Sequence, residues 1–188
     1  MAFEERRFRD ALGQFPTGVA IITTQVPGGA RQGEKLGMTV SSFNSLSLDP
    51  PLVLFSIYRK AYSFAAWQQA KHFAVNILNE DQEELSNRFA RAKGDKWAGL
   101  TTTTGTTGVP LLPYAVVTFE CEAFGRHDGG DHEIFVGRVI ALHESEARRG
   151  RSLVFFGGQY HRLRGHGAHT VPKDSNLQGW AADWEGLG

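Results

Sequence analysis

Residues 52–58, Leu-Val-Leu-Phe-Ser-Ile-Tyr, constrain the fold more than any other stretch of the chain. The run is nearly all apolar and too short for a stable helix, so it reads as a strand covered on both faces. Asp49-Pro50-Pro51 stands directly before it. Each proline fixes its own φ and pushes the residue before it out of the helical region, so the run begins at a stiff break. Such a strand needs neighbours, and the chain supplies them at similar length. Residues 19–24 (VAIITT), 35–40 and 72–78 read as strands. Residues 116–124 alternate, with Val117, Phe119, Cys121 and Ala123 on one side and Thr118, Glu120 and Glu122 on the other. Asp128-Gly129-Gly130-Asp131 is a turn, residues 134–142 return, and residues 153–156 form a last strand before Gly157-Gly158.

Helical patterns are few. In residues 3–15, Phe8, Leu12 and Phe15 fall on one face. Ser63 stands at an N-cap position before Phe64-Ala65-Ala66-Trp67, and residues 80–90 carry Leu85 and Phe89 one turn apart. Residues 101–108, TTTTGTTG, read as a loop or a weak edge strand. There is no regular βαβ alternation, so a doubly wound sheet is excluded. Six or more short strands with glycine turns indicate a closed or partly closed antiparallel barrel, mainly β with short helices.

A length of 188 residues suits one domain. Lys+Arg and Asp+Glu are 20 each, which speaks against a nucleic-acid footprint. No apolar run is long enough to span a membrane, and the charged first ten residues lack a signal-peptide core. A cytoplasmic protein is expected. Cys121 is the sole cysteine, which excludes an internal disulfide, and its place mid-strand suits a small buried hydrophobe. No Gly-x-Gly-x-x-Gly follows a strand, Glu34 stands where a P-loop needs lysine, and there is no Gly-x-Ser-x-Gly elbow. His161, His166 and His169 lack the carboxylate or cysteine partners of a metal site, and no metal is expected. The domain is expected to span residues 1–165. Residues 166–188 are expected to form a glycine-rich tail that docks through Trp180 and Trp184, with Ser175 or Asn176 as helix cap.

Two neighbouring segments suggest chemistry. Residues 37–47, GMTVSSFNSLS, crowd hydroxyls and an amide between two strands. They suit either a loop bonded to its own backbone or a loop facing a planar, polar-edged heterocycle. Arg59, Lys60 and Ser63 follow an apolar strand and precede a helix, which is a plausible phosphate seat.

These residues resemble the flavin reductase domain of two-component monooxygenases. The resemblance is carried by FPTGVAIITT, GMTVSSFNSLSLDPPLVLFSI, FAVNIL, LSNRFA, DKWAG, GDHEIFVGRV and LVFFGGQYHRL, in collinear order over residues 8–163. It implies a split β-barrel of the FMN-binding type with Greek-key-like order, and FMN or FAD reduced by NADH or NADPH. It also implies a homodimer and a partner monooxygenase. By the same resemblance Met38, Thr39, Val40, Ser41 and Ser42 line the isoalloxazine ring. Ser56, Ile57, Tyr58, Arg59, Lys60 and Ser63 hold the ring edge, ribityl chain and phosphate. Arg88, Phe89 and Ala90 complete the flavin site. His132, in Gly130-Asp131-His132, is implied as the catalytic and nicotinamide-binding residue, with Tyr160 at the same mouth. Many members carry asparagine where this chain has Ser41, whose shorter side chain lacks the two amide donors. Two alternatives remain open on the residues: a reductase that retains its flavin and serves a corrin or ferric complex, and a non-enzymatic flavin carrier or sensor.

Overall fold

The computed structural model describes residues 4–163. The strands are β1 (Thr17–Gly18), β2 (Ala20–Gln25), β3 (Lys35–Val40), β4 (Asn44–Leu48), β5 (Pro51–Tyr58), β6 (His72–Ile77), β7 (Thr103–Thr104), β8 (Pro110–Leu111), β9 (Val117–Gly129), β10 (His132–Glu144), β11 (Leu153–Phe156) and β12 (Gln159–Arg162). The α-helices are α1 (Glu5–Leu12), α2 (Phe64–Trp67) and α3 (Glu83–Ala90).

Seven strands form one antiparallel sheet in the order β3-β2-β6-β9-β10-β5-β4. Its two edge strands are consecutive in sequence and are joined by residues 41–43 alone. A connector of that length reaches at most about 14 Å. The sheet must therefore curl until its edges face one another, yet no ladder joins β3 to β4 among the described residues. The result is a mainly β barrel split along one seam, as expected for the fold class.

Inside the curl, Phe55 is the hub. Its ring stacks on Phe135 at 5.4 Å and meets Phe73 edge-on at 5.1 Å, and Trp67 of α2 closes on it at 6.4 Å. Val53, Phe55 and Ile57 are buried while Leu52, Leu54 and Ser56 between them are only half-buried. The expectation that this strand is covered on both faces thus holds for one face only within the chain. It is β2 that is buried on both faces. Ile22 packs in the barrel, and Ile21 packs outside it with Val19, Leu78, Phe89 and Leu153. That outer cluster lies next to a small sheet of order β1-β11-β12.

Several elements depart from expectation. Residues 44–48 are a strand, and so are residues 159–162. Ser63 precedes α2 without a capping bond from its side chain. The first helix is shorter than residues 3–15 and buries none of its residues; Leu12 is 58% exposed and Phe15 75% exposed. Residues 101–108 include the weak edge strand, one of the two expectations for them: β7 pairs with β8, and the turn between them sets Thr106 and Thr107 against Glu120 of β9. That cover buries the second face of β9, while Phe119 and Cys121 on the first face pack in the barrel core. Thr118 and Glu120, on the polar side, are buried.

The Glu120 carboxylate accepts bonds from the backbone N–H and hydroxyl of both Thr106 and Thr107, at 3.1–3.2 Å, and from His143 Nε2 at 2.7 Å. Burial alone would push its pKa up. The bonds from His143, Thr106 and Thr107 together outweigh that and hold it down at about 2. Cys121, beside it, is fully buried, and desolvation pushes its thiol up to about 12, so it is an inert core residue. Trp180, Trp184, Ser175 and Asn176 of the expected docked tail lie outside the described residues.

Candidate functional site

The seam between β3 and β4 is the natural place for a ligand, because β3 has an unpaired side. In an antiparallel strand, alternate residues aim both backbone groups at the same edge. On the free edge of β3 the Lys35 carbonyl accepts from Trp97 Nε1 at 3.0 Å, and the Gly37 carbonyl accepts from Lys96 Nζ at 3.1 Å. The next backbone groups on that edge belong to Thr39, and beyond the strand to Ser41. Neither has a backbone partner among the described residues. The segment 95–97 thus covers half of the edge and leaves the other half open. Met38 and Val40, the alternate residues, turn into the barrel core.

The open half is held rigidly. Thr39 Oγ1 donates to the Ser86 carbonyl at 2.7 Å, tying β3 to α3. A side chain at Gly37 would overlap the Phe89 ring, so α3 can lie this close only because residue 37 is glycine. Phe89 is fully buried and meets Trp97 edge-on at 4.9 Å. Lys96 also donates to the Phe89 carbonyl at 3.0 Å, and its burial lowers the pKa of its ammonium. On the other side of the seam, Ser42 Oγ accepts from Ser56 N–H at 3.0 Å and pins the connector to β5. Ser41 beside it is exposed.

The remaining candidates divide. Ile57 belongs to the core, Ser56 is half-buried, and Tyr58 is exposed. The Arg59 guanidinium faces the β9–β10 hairpin. It donates to Gly130 O at 3.1 Å, Asp128 Oδ1 at 2.6 Å and Glu133 Oε2 at 3.1 Å. With these three acceptors it acts as a hairpin clamp. Lys60 is exposed and has no partner among the described residues, and the Ser63 hydroxyl makes no cap. Arg88 donates to Ala98 O at 3.1 Å, and Ala90 is exposed.

His132 pairs with Tyr58 across β10 and β5, with ring centroids 5.4 Å apart. Its Nδ1 lies 2.7 Å from Asp131 Oδ1. An ionised carboxylate can only accept, so Nδ1 carries the proton and Nε2 is left as the outward nitrogen. Tyr160 is on the other sheet. Its hydroxyl meets Ser86 Oγ at 2.8 Å and donates to Asn87 Oδ1 at 3.2 Å, so it joins Thr39 through α3. No contact joins His132 to Tyr160 among the described residues.

A cleft of about 710 Å³ adjoins the seam, with Gly37, Tyr62, Ser63, Lys96 and Trp97 on its walls. Lys96 and Trp97, part of the DKWAG segment that carries the resemblance, are given no site role by sequence reasoning. Their segment, DKWAG, carries an indole and an ammonium close together, and that was the available signal. Among the described residues no three His, Cys, Asp or Glu side chains are gathered to hold a metal.

An open strand edge, hydroxyls and cations beside it, and a cleft running on from it fit a planar heterocycle with a donor–acceptor edge and a phosphate. The fold and site together define a small split-barrel protein of the nucleotide-binding kind. Residues 12–164 match the model of the flavin reductase like domain, and the chain belongs to that family. It is 44% identical over 159 residues to the FMN reductase (NADH) SmoA of Agrobacterium fabrum, covering 84% of this chain and 86% of that one. It is 43% identical over 159 residues to HsaB of Rhodococcus jostii, the reductase subunit of a flavin-dependent monooxygenase, covering 85% and 78%. Among solved structures, nitrilotriacetate monooxygenase component B from Mycobacterium thermoresistibile superposes with a TM-score of 0.84 at 36% identity, over 95% of this chain and 93% of that one. The NADH:FAD oxidoreductase SgcE6 of Streptomyces globisporus, in complex with NAD and FAD fragments, gives 0.79 at 34% identity over 88% and 96%.

Proposed function

We propose that this protein is an NAD(P)H:flavin oxidoreductase that supplies reduced flavin to a partner monooxygenase in the cytoplasm. The observation that carries the reading is the unpaired backbone edge at Thr39 and Ser41, on the strand whose Gly37 lines the same cleft as Ser63. Bound flavin supplies the two-electron acceptor chemistry. The protein's part is to bind, orient and stabilise. The Thr39 and Ser41 N–H groups are fixed donors for the heterocycle edge on which negative charge develops. Lys60 and Ser63 receive the phosphate, and Arg59 keeps the hairpin that carries His132 in place. With its proton on Nδ1, His132 offers Nε2 as an acceptor to the nicotinamide carboxamide. Hydride would pass from a carbon of the nicotinamide to a ring nitrogen of the flavin, and the protein's contribution would be to hold the two rings in near-attack contact. Steady-state NADH oxidation is expected only when free flavin is added. Full turnover without added flavin would refute a role in flavin supply.

Lys60→Ala and Ser63→Ala are each expected to weaken flavin binding by about 1.5–3 kcal/mol, the worth of a hydrogen bond to a charged group. Fluorescence titration measures this, and unchanged affinity in both variants removes the phosphate seat. His132→Ala is expected to raise KM for the nicotinamide nucleotide severalfold while leaving flavin affinity near wild type. A collapse of flavin binding with unchanged nucleotide dependence would refute that role.

The proposed assembly is a homodimer. Leu46 and Leu48 on β4, Phe124 on β9, and Ile140 and Leu142 on β10 are all exposed in the single chain. An apolar surface this broad suits an obligate interface of more than about 2,000 Å². Light scattering at micromolar concentration is expected to give the dimer mass.

A further inference from the structure

Three hydroxyl side chains from three separate elements stand in line behind the open edge of β3. Thr39 Oγ1 on β3 donates to the Ser86 carbonyl on α3 at 2.7 Å. The Ser86 hydroxyl lies 2.8 Å from the Tyr160 hydroxyl on β12. Tyr160 gives its own proton to Asn87 Oδ1 at 3.2 Å, so Ser86 is the donor in the pair. Ser86 is fully buried, and without Tyr160 its hydroxyl would be left unpaired or turned back onto its own helix.

The Tyr160 end of this line is fixed. Its ring meets Phe155 edge-on at 5.6 Å and packs on the outer cluster around Leu153. The middle is not fixed by itself. α3 has eight residues and no side-chain bond at its N-cap, and so short a helix depends on what packs against it. Lys96 on the Phe89 carbonyl and Trp97 on the Phe89 ring hold its C-terminal end. Tyr160 holds it one turn earlier, at the residue whose carbonyl receives Thr39. The hollow that Tyr160 lines with Glu80, Glu83, His161 and Arg162 shares no lining residue with the cleft at the seam.

We propose that Tyr160 is a positioning residue for the flavin edge: with Ser86 it forms a hydroxyl brace that sets α3, and through the Ser86 carbonyl sets the Thr39 backbone. The inference rests on the flavin-reductase reading and adds to it two residues that act without touching a reactant.

FMN is titrated into the full chain by fluorescence, and NADH oxidation is followed at saturating FMN. Tyr160→Phe keeps the ring and removes its hydroxyl, and Ser86→Ala removes the other. Both changes are small enough to retain the fold. Each is expected to weaken FMN binding by about fivefold, the effect of one neutral hydrogen bond, and to lower kcat by a similar factor while KM for NADH stays unchanged. The double variant is expected to be no worse than the weaker single one, because both changes break the same link. Leu112→Ala loosens the same outer cluster without touching either hydroxyl. It is expected to lower Tm and leave FMN affinity unchanged, which separates bracing from stability. A raised KM for NADH with FMN affinity intact would make Tyr160 a nucleotide contact and overturn the proposal. Additive losses in the double variant, unchanged FMN affinity in both single variants, or an equal loss in Leu112→Ala would overturn it too. If the unaltered protein binds FMN without oxidising NADH, the flavin-reductase reading fails instead, and the FMN titrations still judge the brace.

Discussion

Glu120→Gln is expected to lower the unfolding free energy at neutral pH by roughly 2–4 kcal/mol. The carboxylate gathers five donors at once, and hydrogen bonds to a charged group are the strong class. An amide keeps one oxygen acceptor and turns an N–H₂ group towards hydrogen-bond donors. The loop comes this close to the carboxylate only because residue 105 is glycine, since a Cβ there would overlap Glu120. The deficit has a pH signature. Glu120 titrates at about 2 in the folded chain against an ordinary value of 4.5. Its lowered pKa stabilises the fold in full above the ordinary value, and that stability is lost as pH falls from there towards about 2. The gap between wild type and variant should therefore narrow through that window. Urea unfolding at pH 7 and at pH 3 measures it, and a gap that is the same at both would refute the assignment.

Gly37→Ala is expected to cost at least tenfold in flavin affinity and roughly 1–3 kcal/mol in stability, the usual range for overpacking. The added methyl group would overlap the Phe89 ring, and Phe89 has no space to retreat because it is fully buried against Trp97. Displacing either ring moves the Trp97 and Lys96 bonds that cover half of the β3 edge. The geometry of the open half at Thr39 then changes with no ligand-contacting side chain altered. Flavin titration alongside denaturation checks both effects. Normal affinity in a folded Gly37→Ala protein would show that the edge does not seat the flavin.

Much of the barrel is legible in the sequence because its strands are short apolar runs between glycine or proline breaks. Strands β2 and β5 follow that rule, while β6 and the core half of β10 are legible from their apolar residues alone. Residues 44–48, Asn-Ser-Leu-Ser-Leu, do not, because an edge strand with one side open needs few apolar residues. Residues 159–162, Gln-Tyr-His-Arg, escape for the same reason. The polar side of β9 misleads because alternation reveals two faces without revealing what covers each. Here the cover is a threonine-rich hairpin that satisfies Glu120. The apolar stripe of α1 misleads in the opposite sense, being helical in period yet exposed. At the site, the residue types of the 37–47 and 59–63 segments are informative because hydroxyls and cations announce polar work. Two things stay hidden. Arg59 looks like a phosphate ligand until the hairpin carboxylates that hold it are seen. The open edge at Thr39 is a property of strand order, and no side chain in the sequence reports it.

That open edge has a consequence for the protein between turnovers. An unpaired strand edge is a template for another chain to pair with. If the flavin sits on the Thr39 edge as proposed, a reductase that releases its flavin would uncover that edge each time it does so. Two features guard it. Lys96 and Trp97 cap its first half, and the open half beyond Gly37 runs directly into a connector only three residues long, 41–43, which leaves little straight edge to copy. Flavin-free protein should accordingly be the form most prone to self-association on storage. Added flavin would then act as a solubility agent as well as a reactant.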